Sequence, residues 1–174
     1  MIGILAILGR HDERALHAMV MRRRPSVDQF MRAVTHLGDV WLVVPMAVAL
    51  MLGVVPGLET AGLHAAIILS LSHAFVQLLK RTISRPRPRL PIGCLSLVEA
   101  PDRFSFPSGH SAAALSLAIP LAAALPMAAG STMIGLALLI GLSRCYLGVH
   151  YPGDVLSGWT LALLAALASA PLIG

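Results

Sequence analysis

Apolar runs separated by blocks of charge constrain this chain more than any other feature. One run extends from Val40 to about Val55 and closes at Pro56-Gly57, a second from about Ala61 to Leu79 and stops at Lys80, and a third from about Ser111 to Ala129. A turn at Gly130-Ser131 leads to a fourth, about Thr132 to Leu147, and a fifth runs from Asp154 or Val155 to Leu172. Segments of this kind suit a bilayer, where about 20 apolar residues make one crossing and prolines such as Pro120 and Pro126 are tolerated. Of the 174 residues 57% are apolar and 12% charged, with a mean hydropathy of +0.81, which excludes an ordinary soluble domain. The reading is all-α: a polytopic membrane helical bundle of about five transmembrane helices, with residues 1–174 as a single domain.

Residues 1–36 do not supply a further span, because Arg10, His11, Asp12, Glu13 and Arg14 interrupt the apolar stretch Ile2–Leu8. Farther on, Val27, Phe30, Met31, Val34 and Leu37 recur at helical spacing opposite Asp28, Gln29, Arg32 and His36. That is the pattern of an amphipathic helix lying in the membrane interface. The basic residues follow the apolar stretch instead of preceding it, so a cleaved signal peptide is not expected and this segment is read as retained. Residues 37–174 are then the helical core that carries the site.

Thirteen Lys and Arg against eight Asp and Glu leave a net charge of +5, which in a membrane protein points to headgroups or an anionic substrate and not to nucleic acid. Cys94 and Cys145 show no CxxC spacing, so neither a disulfide framework nor a zinc site is encoded. Three short segments hold the chemistry. Residues 80–89 carry five cations among ten residues, with two prolines that would fix the directions of Arg87 and Arg89; the structural alternative is a stop-transfer cluster touching lipid phosphates. Phe106-Pro107-Ser108-Gly109-His110-Ser111 reads structurally as a helix cap, and functionally as an anion nest of backbone N–H groups beside a histidine able to donate a proton. In the third segment Arg144 lies inside an apolar run, where a cation is costly, and His150 precedes Asp154 by four residues. One helical turn would bring that carboxylate to the imidazole, with the histidine itself as a candidate nucleophile. Five spans put all three segments on one membrane face, which assembles a phosphate site; carboxylates for a magnesium ion are lacking, so no metal and no cofactor are expected.

Lys80-x6-Arg87-Pro88, Pro107-Ser108-Gly109-His110 and Ser143-Arg144-x5-His150-x3-Asp154 together resemble the three-part signature of the type-2 phosphatidic acid phosphatase superfamily, which includes membrane lipid phosphatases and vanadium haloperoxidases. The resemblance covers about residues 61–172. It implies that Lys80, Arg87, Arg144, Ser108 and the backbone of Gly109 bind the phosphate oxygens. It further implies His150 as the nucleophile that forms a phosphohistidine, Asp154 as its orienting carboxylate, and His110 as the acid for the leaving lipid oxygen and then the base for water.

The function expected is removal of a terminal phosphate from a membrane lipid, with phosphatidylglycerophosphate, phosphatidic acid and undecaprenyl diphosphate as candidate substrates. A lipid phosphotransferase using the same intermediate, and a non-catalytic lipid-phosphate binding or transport protein, are the alternatives. The location expected is the cell (inner) membrane. The positive-inside rule points to a cytoplasmic site, against the outer-face site of many envelope relatives. Outside the signature, His64 and His73 are read as inter-helix hydrogen-bonding partners and His11, His17 and His36 as headgroup-facing. Trp41 and Trp159 are read as interface anchors, Cys145 as packing, and Asp39 as a helix cap.

Overall fold

The computed structural model describes residues 2–172, which form seven α-helices and a closing 3-10 turn. These are α1 (Ile2–Val20), α2 (Pro25–His36), α3 (Val40–Met51), α4 (Glu59–Ile83), α5 (Gly109–Ala124), α6 (Met127–Tyr146) and α7 (Pro152–Ser169). Helix α5 has no polar side, and its residues Ser111–Ala118 are all buried. Its alanines and serines let α4, α6 and α7 approach on every side, the packing that small residues permit between bilayer helices. The polar atoms this buries are paired: the Ser72 and Ser116 hydroxyls meet at 2.9 Å between α4 and α5. Two apolar clusters flank the centre, one joining α3 and α4 to α5 through Val43, Leu69 and Leu117, the other joining α2, α6 and α7 to α5 through Val34, Ile140 and Ala162.

The third apolar run breaks at Leu125-Pro126, not at the Gly130-Ser131 turn that composition suggests. A residue before proline is pushed out of the helical region, and Leu125 is extended at φ −97°, ψ 158°, while Pro126 caps α6. Gly130 stays helical for a packing reason: a Cβ there would sit 2.6 Å from the Ala122 carbonyl oxygen. The five runs appear as α3 to α7; among the described residues α4 and α6 are each long and apolar enough to cross a membrane, and α2 with α3 adds a third if that pair, bent by 47°, is one span. Helix α3 ends at Met51 and is about 18 Å long, and α5 about 24 Å.

The N-terminal helices are docked at the end of the bundle that holds the three segments. Leu16 and Val20 of α1 are buried with Cys145 and Val155, and the apolar side of α2 turns Val34 and Thr35 onto α6.

Candidate active site

Lys80 lies in the last turn of α4, where Ser84 adopts a left-handed conformation (φ 50°) and ends the helix by donating its N–H to the Lys80 carbonyl. From there residues 84–108 cross the end of the bundle, pinned by a bridge between Pro86 and Phe104. The prolines do aim the arginines, but not as a set. Arg87 turns inward, whereas Arg89 is exposed and only its carbonyl is used, by His17 at 2.8 Å. Arg85, which composition did not distinguish from its basic neighbours, bridges Asp154 Oδ1 and Asp12 Oδ2, both at 2.7 Å, and stacks 4.0 Å over the Tyr151 ring.

Ser108 caps α5. Its hydroxyl oxygen accepts from the Ser111 hydroxyl at 2.8 Å, and the side chain is fully buried instead of facing the cavity. Gly109 and His110, the first residues of the helix, do line the cavity. His110 Nε2 lies 2.7 Å from Asp39 Oδ1, and Asp39 Oδ2 lies 2.9 Å from His36 Nδ1. Asp39 occupies the N-cap position of α3 as its sequence suggests, yet its carboxylate makes no capping bond because both oxygens go to histidines.

Arg144, in the last turn of α6, is 2% exposed. Its Nη1 donates to Thr35 Oγ1 at 2.8 Å, while Nε and Nη2 are buried with no partner. His150 follows a tight turn at Gly148 (φ 82°) and is equally buried, with its N–H bonded to the Arg144 carbonyl at 3.3 Å. Its Nε2 lies 2.9 Å from Arg87 Nη1. A guanidinium can only donate, so Nε2 is the lone-pair atom and Nδ1 carries the proton toward Asp154 Oδ2, 3.5 Å away. That separation is at the limit of a hydrogen bond, a weak contact between the ring and the carboxylate, and Nδ1 has no other partner. Burial pushes the His150 pKa down to about 3, with Arg87 and Arg144 acting in the same direction and the Asp154 hydrogen bond and charge opposing. The ring is therefore neutral and its Nε2 lone pair available. Asp154, at the N3 position of α7, accepts from the Tyr151 N–H at 2.9 Å and is held on its other oxygen by Arg85.

A cavity of about 380 Å³ brings Lys80, Arg87, Gly109, His110 and His150 together with Asp39 and Asp102. A second of about 340 Å³ adjoins it through His110 and reaches Arg144 and Thr35. Asp102 binds both Lys80 Nζ (2.9 and 3.2 Å) and Arg87 Nη2 (2.9 Å). Burial raises its pKa, but the hydrogen bond and charge of Lys80 and the charge of Arg87 outweigh this and leave the carboxyl below its ordinary value, hence ionised. Among the described residues no three His, Cys, Asp or Glu side chains converge as a metal-ligand set. Thr35, Asp39, Arg85 and Asp102 are the site residues that sequence reasoning missed. Of the remaining histidines, His64 reaches Ser169 of α7 at 3.1 Å as expected of an inter-helix partner, whereas His73 bonds within its own helix to Gln77 and lines the cavity. Trp159 is packed against α6: a Cβ at Gly141 would sit 2.5 Å from its ring, and its indole N–H is buried.

Residues 61–173 match the family model described as the PAP2 superfamily. Phosphatidylglycerophosphatase B of Bacillus subtilis is 34% identical over 164 residues, spanning 88% of this chain and 78% of that protein. A decaprenylphosphoryl-5-phosphoribose phosphatase of Mycolicibacterium smegmatis is 32% identical over 138 residues, 78% of this chain and 73% of its own. Among solved structures, a transmembrane PAP2 type phosphatidylglycerolphosphate phosphatase from Bacillus subtilis superposes with a TM-score of 0.79 at 31% identity, covering 95% of this chain and 86% of that one. Aquifex aeolicus LpxE gives a TM-score of 0.77 at 26% identity, covering 91% and 93%.

Proposed function

The chain belongs to the PAP2 superfamily, as a membrane lipid phosphatase, and on that premise we propose that it hydrolyses a terminal phosphomonoester from a lipid headgroup through a phosphohistidine on His150. The observation that carries this reading is Arg144. A guanidinium 2% exposed, with two N–H-bearing nitrogens unpartnered, is costly to bury until an anion completes it. It adjoins a neutral histidine, two further cations and the start of a helix, so a phosphate is the anion that fits.

In the proposed reaction the phosphate oxygens bind Arg144, Lys80, Arg87 and the Gly109 N–H. His150 Nε2 attacks phosphorus as the bond to the lipid oxygen breaks, and His110 gives that oxygen its proton. Asp154 faces the Nδ1 proton throughout, stabilising the ring as it gains positive charge. Water then attacks the phosphohistidine while His110 takes its proton, which frees inorganic phosphate and restores neutral His150. With Ser108 turned to Ser111, the backbone of Gly109 is the better supported contact of the two.

Among the candidate substrates, phosphatidylglycerophosphate draws support from a similar Bacillus subtilis protein and a similar solved structure from that organism, both named for it, and the relatives named decaprenylphosphoryl-5-phosphoribose phosphatase also act on a lipid-linked phosphate. We assign the site to the cytoplasmic face of the cell membrane on the positive-inside rule. Phosphate release by the purified protein from short-chain phosphatidylglycerophosphate, phosphatidic acid and a prenyl diphosphate tests the substrate class. Monoesters are expected to turn over fastest, and a protein that releases phosphate from none of them refutes the reading. Single cysteines at exposed Ser84 and Val54, in a background without Cys94 and Cys145, test the face: an impermeant maleimide on intact cells labels position 54 and spares position 84, and the reverse pattern puts the site outside.

A further inference from the structure

The three cations assigned to the phosphate are not in the same state. Arg144 has open donors, but Lys80 has none: an ammonium carries three N–H bonds, and Lys80 directs its own to both oxygens of Asp102 (3.2 and 2.9 Å) and to the Phe104 carbonyl (3.1 Å). Arg87 is also engaged by Asp102, through Nη2 to the carboxylate at 2.9 Å and through Nε to the backbone carbonyl at 3.2 Å. The Asp102 carboxylate thus receives hydrogen bonds from the buried Lys80, from the partly buried Arg87 and from the Phe104 N–H at 3.0 Å, the partner set a phosphate oxygen pair would need. Unlike those cations it is accessible, with 39% of its side chain exposed, and it sits on the segment that crosses the cavity mouth. In the same arrangement Arg87 Nη1 covers the nucleophilic lone pair of His150.

We propose that Asp102 is a resident anion that occupies the phosphate seat on Lys80 and Arg87 and must swing out for a phosphomonoester to bind. The inference rests on the phosphatase reading and deepens it. A phosphate dianion brings more charge and more acceptor oxygens than a carboxylate, so it displaces Asp102 and draws Arg87 away from His150 Nε2 as it does so. The carboxylate weakens every phosphate alike, free phosphate and lipid headgroup included. Only a lipid, held beside the site by the membrane at high effective concentration, still loads the cavity well, and the product phosphate is returned to solution by the side chain that it displaced.

The test compares wild type with Asp102→Asn in detergent micelles, reading inhibition by inorganic phosphate, KM for a short-chain lipid phosphate, and the rise in Tm that phosphate causes. A competing carboxylate predicts that the variant binds free phosphate about tenfold more tightly, that KM falls by a similar factor, and that phosphate raises Tm more than in wild type. If Asp102 instead orients Lys80 for phosphate, the signs reverse, and unchanged or weakened phosphate binding by the variant overturns the proposal. A folded wild type that neither binds phosphate nor releases it from lipids overturns the phosphatase reading itself, and this inference with it. Asp102→Ser, which removes the charge but leaves Lys80 a hydroxyl acceptor, gives the same signs should the amide fold poorly.

Discussion

His150 and His110 each face a carboxylate, and the two pairs are built differently. His150 and Asp154 are 2% and 0% exposed, and Asp154 is braced in turn by Arg85 and the Tyr151 N–H, with Arg85 held by Asp12. His110 and Asp39 are 14% and 36% exposed, and the far oxygen of Asp39 leads to His36, whose side chain is 68% exposed. A nucleophile needs a fixed tautomer and a ring kept neutral, which burial supplies. A group that must give a proton to a lipid oxygen and take one from water needs contact with the rim. Depth therefore follows the two tasks proposed for these rings.

The comparison breaks first at the deep pair. His150→Ala is expected to lower phosphate release by a thousandfold or more, on the order seen when a covalent nucleophile is lost, with the variant still eluting as a folded protein. Asp154→Asn should lower kcat about a hundredfold and also lower Tm, since Arg85 loses a buried charged partner; a kcat near wild type sinks the orienting role. At the shallow pair Asp39→Asn should lower kcat about tenfold, shift the pH profile of kcat and leave KM and Tm close to wild type. A Tm loss as large as that of Asp154→Asn makes the two pairs alike and ends the distinction. Thr35→Val tests the second cavity: Arg144 loses its one side-chain acceptor, and KM should rise about threefold with kcat held.

The smallest effect is on stability in acid. The folded pKa of His150, about 3, lies below its unfolded value near 6.5, so the unfolded chain binds the extra proton between them. The contribution of the neutral ring is therefore complete above pH 6.5 and is lost as pH falls toward 3. Wild type should lose Tm across that window more steeply than His150→Gln, and equal slopes would place the ring in a less buried setting.

The deep pair is also the one the sequence reveals. Asp154 follows His150 by four residues at a Pro-Gly helix start, so local geometry alone brings them near each other. Asp39 lies 71 residues from His110, and Thr35 lies 109 from Arg144, on a helix whose periodicity announces an apolar face without saying what that face covers. Arg85 and Asp102 were hidden for another reason. Within a basic loop every cation has the same claim on a headgroup, and only the path of residues 84–108 decides which of them turn inward. The helix break at Pro126 was legible in principle, since the residue before a proline avoids the helical region, but Gly130-Ser131 offered a competing turn signal that packing against Ala122 overrides.

The Ser108 N–H donates to the Asp154 carbonyl at 2.9 Å, and Gly158 lets α7 approach so closely that a Cβ there would meet the Ser108 carbonyl oxygen at 2.5 Å. His110 and His150 are thus registered to each other through main-chain atoms, as two parts seated on one bracket. Side chains on the walls made by α2, α3 and the crossing segment can change without altering this main-chain span only where they do not hold an imidazole themselves, as Asp39 and Arg87 do. A single methyl group added at Gly158 would be felt at both histidines at once.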